Sequence, residues 1–453
     1  MMGAPESRKV QVAIIGGGIG GLALVLAMQR FCKMSDFDVH VYESATQISQ
    51  IGAGITVWQR TFELLSDMGM EEDFAALRPE DEKMSFTCRK SDQPEGKTFR
   101  DIEMLDGAML TLHRAQVQDI FLKHISEDIH FHLSHRLESY SYTDDATERI
   151  ALKFRGGQDA RCDLLIGADG VYSAVRHTYL PRVAEKLGKP EYLDYVDAVF
   201  SGSCVYRDLI PFQKLEEVWP NHPTAKVPYQ YCGKNKHIVT YPVSQGNRRF
   251  VNVVGFYCDL SKEDSPYSGS YIGSSTTQDV LKTYEGWEPE VMAMLGCMAN
   301  PSHWAVLTIK PFDIWAHDDV MLLGDSSHAM TPHLGAGAGQ AIEDAYYLAK
   351  ILAHAQKEGP LEVLSDETMN LYNRIRPPVA NFVQARARLQ TRFYEFNEEG
   401  QDLSLVEADS PVYTEPDRLQ KLGHGIWDGY HWRRHTIVRE TDAEAARVLS
   451  DVQ

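Results

Sequence analysis

The 453-residue chain has no uninterrupted apolar run of about 18 residues, the length that a membrane-spanning helix requires. Met1 to Lys9 contain no apolar stretch of the secretory-leader type, and Ser450 to Gln453 match no lipidation or peroxisomal signal, so neither address is expected. The seven cysteines (Cys32, Cys88, Cys162, Cys204, Cys232, Cys258 and Cys297) are odd in number and form no CxxC pair. That spacing argues against a disulfide framework and against a cysteine zinc site. Positive charge is scarce: 45 Lys and Arg stand against 64 Asp and Glu, a net charge of -19. Nucleic acid and anionic membranes are therefore poor partners. Internal repeats and low-complexity segments are absent. What remains is a soluble, cytoplasmic protein acting on a small molecule, expected as a monomer or homodimer.

Three short motifs supply the positive content. Val10 to Ile15 is a β-rich run followed at once by Gly16-Gly17-Gly18-Ile19-Gly20-Gly21, then an apolar helix over Leu22 to Phe31 and a second strand over Val39 to Tyr42. In this strand, turn, helix, strand setting, Gly16, Gly18 and Gly21 allow a tight turn, the approach of a pyrophosphate and close helix packing. The helix N-terminus offers N–H donors to the phosphate. Glu43 ends the second strand, where its carboxylate can take both hydroxyls of a ribose. Asp163 to Ala168 and Val320 to Leu323 read as further buried strands. They lead into Asp169-Gly170-Val171-Tyr172-Ser173-Ala174-Val175-Arg176 and Gly324-Asp325-Ser326-Ser327-His328-Ala329. Open parallel sheets bind ligands at the carboxyl ends of their strands, so the three motifs are expected to meet on one cofactor. Asp169 also reads as a helix N-cap before Val171 to Arg176.

Ala198 to Leu209, His237 to Val243 and Arg249 to Asp259 have a different texture, rich in Val, Tyr, Phe and Thr, and predict an inserted antiparallel sheet. Gln340 to Gln356 predicts a helix with Ile342, Ala345, Leu348, Ala349 and Leu352 on one face. A further helix over Thr368 to Phe396 is expected to end or kink at Pro377-Pro378. Beyond Gly400 the chain reads as polar and irregular as far as Trp427, then charged.

With Pro332, Gly335 and Gly337 added, these motifs resemble the single-component flavoprotein aromatic hydroxylases, the class of para-hydroxybenzoate and salicylate hydroxylases. The resemblance runs from Val10 to about Gln390. It implies an α/β fold: a Rossmann-type FAD-binding domain (1–76, 107–190 and 300–375), an inserted antiparallel-sheet substrate domain (77–106 and 191–299) and a C-terminal helical segment (376–453). It places Asp325 on the ribityl or ribose hydroxyls of FAD and Asp169 in a stretch serving FAD and NAD(P)H. Arg114 goes to the pyrophosphate, with Gln118 one helical turn later, and Ala53 is a further cofactor-binding position. Pro332, Gly335, Gly337 and Ala338 would lie flat against the flavin ring. For the substrate, the resemblance offers Arg207 within Tyr206-Arg207-Asp208-Leu209-Ile210, and Tyr241 before Pro242. Asp208 stands where many relatives have glycine. His333, beside the flavin strip, is a candidate for proton movement.

The reaction implied is NADH- or NADPH-driven reduction of FAD, addition of O2 at flavin C4a, and transfer of one oxygen to an electron-rich phenol. No metal is required. Salicylate, giving catechol with loss of carbon dioxide, is the leading substrate; a hydroxybenzoate or a polyketide phenol, with or without dearomatisation, is the alternative. A non-catalytic FAD-fold binding protein is the distant one. No second GxGxxG follows, which disfavours the two-dinucleotide reductases.

Overall fold

In the computed structural model, described over residues 8–48, 54–78, 85–104, 110–145, 147–245, 248–359, 364–398 and 416–452, the apolar run Val10–Ile15 lies between two parallel neighbours. Phe37–Tyr42 pairs on one side and Leu164–Gly167 on the other. Val320–Leu322, Ala316–His317 and His130–His132 complete a six-stranded sheet. Both of its faces are covered, so its central strands are apolar throughout rather than alternating. The helix Ile19–Phe31 packs on it beneath the helix Gly337–Glu358. Gly16 and Gly21 make this possible. A Cβ on Gly21 would fall 2.0 Å from the Gly16 carbonyl oxygen, and Gly16 itself has φ 110°.

The predicted antiparallel runs form Val199–Pro211, Lys236–Gln245 and Arg248–Cys258, the core of an eight-stranded sheet. The strand Ser302–Thr308, absent from the sequence reading, pairs with Val199–Pro211. Alternation gives this sheet two faces. Tyr206, Tyr231, Ile238, Val251 and Val253 pack under the helices Thr277–Thr283 and Pro289–Leu295 through Val280, Tyr284, Val291 and Met294. The register puts Arg207, Val254, Val239 and Gln230 in one row across the other face, with Asn252 opposite Tyr241 and Phe256 opposite His237. This second face carries the candidate substrate residues.

Two expectations about the C-terminal part are corrected. The helix Asp366–Tyr394 runs through Pro377 and Pro378 without ending. Leu371, Tyr372 and Ile375 before the pair, and Val379, Ala380 and Val383 after it, are all buried, so packing on both sides outweighs the roughly 3 kcal/mol helix penalty of proline. Nor is the chain irregular all the way to Trp427: Pro416–Tyr430 is a helix, followed by Thr436–Val448, while residues 401–415 lie outside the described residues. Leu422, Ile426 and Tyr430 recur every fourth residue, and that face packs on Phe86, Tyr394 and Phe396.

A buried charge network joins these parts. Arg60 forms a bidentate pair with Glu343 at 2.7 and 2.8 Å and a second with Asp442 at 2.7 Å. Arg376, fully buried, donates to Glu343, Asp344 and Gln340. Planar guanidinium forks satisfy two carboxylates at once, which makes such burial tolerable.

Candidate active site

The glycine turn closes with the Gly16 N–H donating to the Tyr42 carbonyl at 2.8 Å. Glu43 follows Tyr42 directly. Its Oε2 accepts the Gly17 N–H at 2.9 Å and its Oε1 accepts the Ala45 N–H at 2.7 Å, which holds the carboxylate at the mouth of the turn. The helix Arg114–His124 begins beside it, capped by a reciprocal pair between His113 and Gln116. Arg114 is exposed and reaches the turn: its Nη2 is the nearest atom to where a Gly18 Cβ would stand, at 3.7 Å. Gln118 on the same helix is buried, with Oε1 unpartnered. Ala53 lies outside the described residues.

Asp169 does not cap the helix that follows it. Ser173 is the N-cap of Ala174–Leu187, accepting the Arg176 N–H at 2.9 Å, and Val171 precedes the helix. Asp169 stands one layer back, bonded to Ser173 Oγ and the Val175 N–H. Burial raises its carboxyl pKa against those two bonds. Arg176, fully buried, donates to the carbonyls of Val196, Ser326 and Val171 at 2.9, 2.9 and 2.6 Å. One side chain thus ties the second motif to the third.

In the third motif, Asp325 is exposed while Gly324 before it and Ser326, Ser327 and His328 after it are buried. The strip then runs through the exposed Pro332 to Gly335, at φ 57°, whose carbonyl and that of Leu334 accept the Trp58 indole N–H at 3.2 and 3.1 Å. The helix begins at Gly337, three residues earlier than expected, so the N–H groups of Gly337 and Ala338 belong to its first turn and have no partner within the helix. An open glycine turn, an exposed carboxylate between buried residues, an orphaned Gln118 oxygen and a side-chain-poor helix start fit an anionic dinucleotide with a flat ring.

On the facing sheet, Arg207 Nε donates to Asn252 Oδ1 at 3.2 Å. A Cβ on Gly54 would lie 2.7 Å from the Tyr241 hydroxyl and 3.7 Å from Arg207 Nη2, so these residues meet at one point. No carboxylate among the described residues pairs with Arg207. Burial lowers its pKa, against Tyr241; burial raises that of Tyr241, against Arg207 and Asn252. Asp208 turns away and accepts the N–H groups of Ala299 and Asn300 at 2.7 and 3.0 Å. It leaves Arg207 free to face inward.

His333 is not next to Arg207 but in a second cluster that the sequence reading missed. Its Nδ1 is 2.8 Å from Thr391 Oγ1, and its ring lies 4.7 Å from Phe256 and 4.9 Å from His237. His237 Nδ1 is 2.9 Å from Glu395 Oε1, both fully buried. His333 Nε2, His237 Nε2 and Glu395 Oε2 have no partner. Burial pushes Glu395 up to about 8 and His237 down to about 3, and burial with the adjacent His237 holds His333 well below its usual value. All three are neutral near pH 7. Between the clusters lie Val239 and Val254, each half-buried. The signal for His237 was its place in a β run on the Tyr241 face; for Glu395, at the end of a long helix, no local signal existed.

A sequence model of the FAD binding domain family matches residues 9–387. The chain belongs to this family. The flavoprotein is 32% identical over 419 residues to a salicylate hydroxylase of Pseudomonas putida, covering 90% of this chain and 89% of that one. It is 29% identical over 458 residues to a 6-methylsalicylate 1-monooxygenase of Aspergillus terreus, covering 98% and 94%. A solved salicylate hydroxylase substrate complex superposes with a TM-score of 0.76 at 26% identity and 98% coverage of both chains. The fold is that of the FAD-dependent hydroxylases, and the enzyme is an FAD-dependent aromatic monooxygenase similar to salicylate hydroxylases. No helix among the described residues is long and apolar enough to cross a membrane.

Proposed function

We propose that this flavoprotein hydroxylates a small phenolic acid of the salicylate type, with decarboxylation. The observation that carries this reading is a half-buried guanidinium that has no carboxylate partner among the described residues and meets the Tyr241 hydroxyl at one end of an apolar floor. Arg207, with Tyr241 and Asn252, compensates the substrate's negative charge. Val239 and Val254 carry the ring.

The imidazoles can divide the work on a phenol oxygen that reaches their end of the floor. Thr391 Oγ1 is 3.4 Å from the Ala387 carbonyl, to which it donates. It therefore accepts from His333 Nδ1–H, and His333 Nε2 keeps a lone pair. Protonated Glu395 donates to His237 Nδ1, so His237 Nε2 carries the proton. The phenol O–H can give its hydrogen to His333 and accept one from His237. Loss of phenol proton density enriches the ring carbons ortho and para to the oxygen, where an electrophilic oxygen adds. FAD, when bound, supplies electron transfer from NADH or NADPH and activation of O2. Glu43, Arg114, Gln118, Asp169 and Asp325 would hold its polar parts, and Pro332, Gly335, Gly337 and Ala338 its ring. For salicylate the balance is salicylate, NAD(P)H, two protons and O2 giving catechol, carbon dioxide, water and NAD(P)+.

A larger phenol is the second reading. Tyr241 and His237 are four residues apart on one strand, a backbone separation of about 13 Å that a longer substrate would bridge. NADH and NADPH oxidation by the purified yellow enzyme, run with salicylate, hydroxybenzoates and larger phenols, separates the readings. Stoichiometric carbon dioxide and catechol from salicylate support the first. Oxygen transfer only to larger phenols, without carbon dioxide, establishes the second.

A further inference from the structure

At the outer edge of the nucleotide-binding sheet, Phe37–Tyr42 and His130–His132 run parallel in the register His40 with His130 and Tyr42 with His132. Phe37, Val39 and Val41 point into the core. By alternation, Asp38, His40, His130 and His132 share the opposite face. This group lies outside the flavin and substrate clusters. Asp38 Oδ1 is 3.4 Å from His40 Nε2 and 3.4 Å from His130 Nε2, and the three atoms fall within 4.8 Å of one another.

A tetrahedral ion with bonds of about 2.1 Å holds its ligand atoms about 3.4 Å apart. Two of the three ligand edges therefore already have the required length, and the exposed His130 ring can turn to shorten the third. His40 has its other nitrogen held as in metal-binding histidines: Nδ1 is 2.9 Å from His132 Nε2, and with Nδ1–H as the donor Nε2 is left to ligate. We propose that Asp38, His40 and His130 form a site for one divalent transition-metal ion of the Zn2+, Ni2+ or Cu2+ class, oriented by His132 and completed by water.

The donor chemistry suits such an ion, which takes imidazole nitrogen with a carboxylate, and the chain's net charge of -19 concentrates cations around it. Metal binding needs deprotonated ligands. The site has a structural consequence. The Glu43 N–H donates to the His132 carbonyl at 2.9 Å and the His135 N–H to the Glu43 carbonyl at 2.8 Å. An ion here staples the edge strand to the strand that presents Glu43.

Titration calorimetry with zinc sulfate alone, on the full-length FAD-loaded protein without a histidine tag, tests the assignment. One equivalent of Zn2+ is expected to bind and to raise the melting temperature. His130→Ala and Asp38→Asn should each weaken binding more than about tenfold, and His132→Ala by about tenfold. His177→Ala, beside Asp197 elsewhere on the surface, should change nothing. Circular dichroism and flavin absorbance verify that each variant is folded; His130 is exposed and Asp38→Asn preserves shape. Absence of Zn2+ binding in the wild type, or equal binding in His130→Ala and Asp38→Asn, overturns the proposal.

Discussion

Asp344 Oδ2 accepts the Gly324 backbone N–H at 2.8 Å and bonds His328 Nε2 at 2.6 Å, while Oδ1 takes Arg376 Nε at 2.8 Å. The turn that presents Asp325 is thus anchored to the buried charge network. Burial alone would raise the Asp344 carboxyl; His328 and Arg376 hold it below its usual value. Asp344→Asn leaves Arg376 short of a counter-charge and is expected to cost about 3 kcal/mol of stability. Thermal unfolding together with flavin absorbance checks this: the variant should melt earlier and purify with less FAD.

Arg207→Gln is expected to raise KM for phenolic acids about 10- to 150-fold, the loss of a charge-assisted hydrogen bond of about 1.5–3 kcal/mol. Steady-state kinetics with an acid and with the corresponding neutral phenol decide the matter. If both lose equally, Arg207 does not bind the carboxylate.

Arg114→Ala should weaken FAD, since the guanidinium at the Gly18 turn is, among the described residues, the only charged side chain within 4 Å of that cradle position. A drop of about tenfold or more in affinity, measured by flavin fluorescence on release, is expected with little change in melting temperature of the apoprotein. Unaltered FAD affinity would place Arg114 outside the phosphate site.

Glu395→Gln addresses pH. In the folded protein Glu395 keeps its proton to about pH 8, whereas in the unfolded chain it loses it near pH 4.3. The folded state then binds more protons between those values, so this contribution to stability is present at low pH and is lost as pH rises through 8. His237 acts in the reverse sense: held down to about 3, it contributes stability that fades as pH falls below about 6.5. Denaturant midpoints from pH 5 to 9 should decline toward alkaline pH in the wild type and flatten in Glu395→Gln. An unchanged slope would mean that Glu395 is ionised in the fold.

Much of the nucleotide side was legible because its signals are local. Gly16 to Gly21 sit between a strand and a helix in sequence as in space, and the Asp169 and Gly324-Asp325 motifs each end a buried strand. The Arg207 and Tyr241 pairing was also readable in part, both lying in β runs that proved to share a face. Glu395 was not legible, because nothing near it in the chain says that the end of the helix Asp366–Tyr394 meets His237. The prolines misled for the same reason: intrinsic helix penalties are local, whereas the burial of Ile375 and Val379 is tertiary. The helix Pro416–Tyr430 had a readable signal in Leu422, Ile426 and Tyr430, masked by the polar residues around it.

The bond between Arg60 and Asp442 spans 382 positions. A chain emerging from the ribosome completes its glycine turn early but cannot satisfy the Arg60 fork until Asp442 has emerged. Glu395 likewise reaches His237 only after the intervening sheet and helices exist. Nascent chains should therefore pass through a long interval in which the nucleotide fold is present but its charged underside is unpaired. Such non-local closure slows folding, and it makes flavin retention a late event in the protein's birth rather than its starting point.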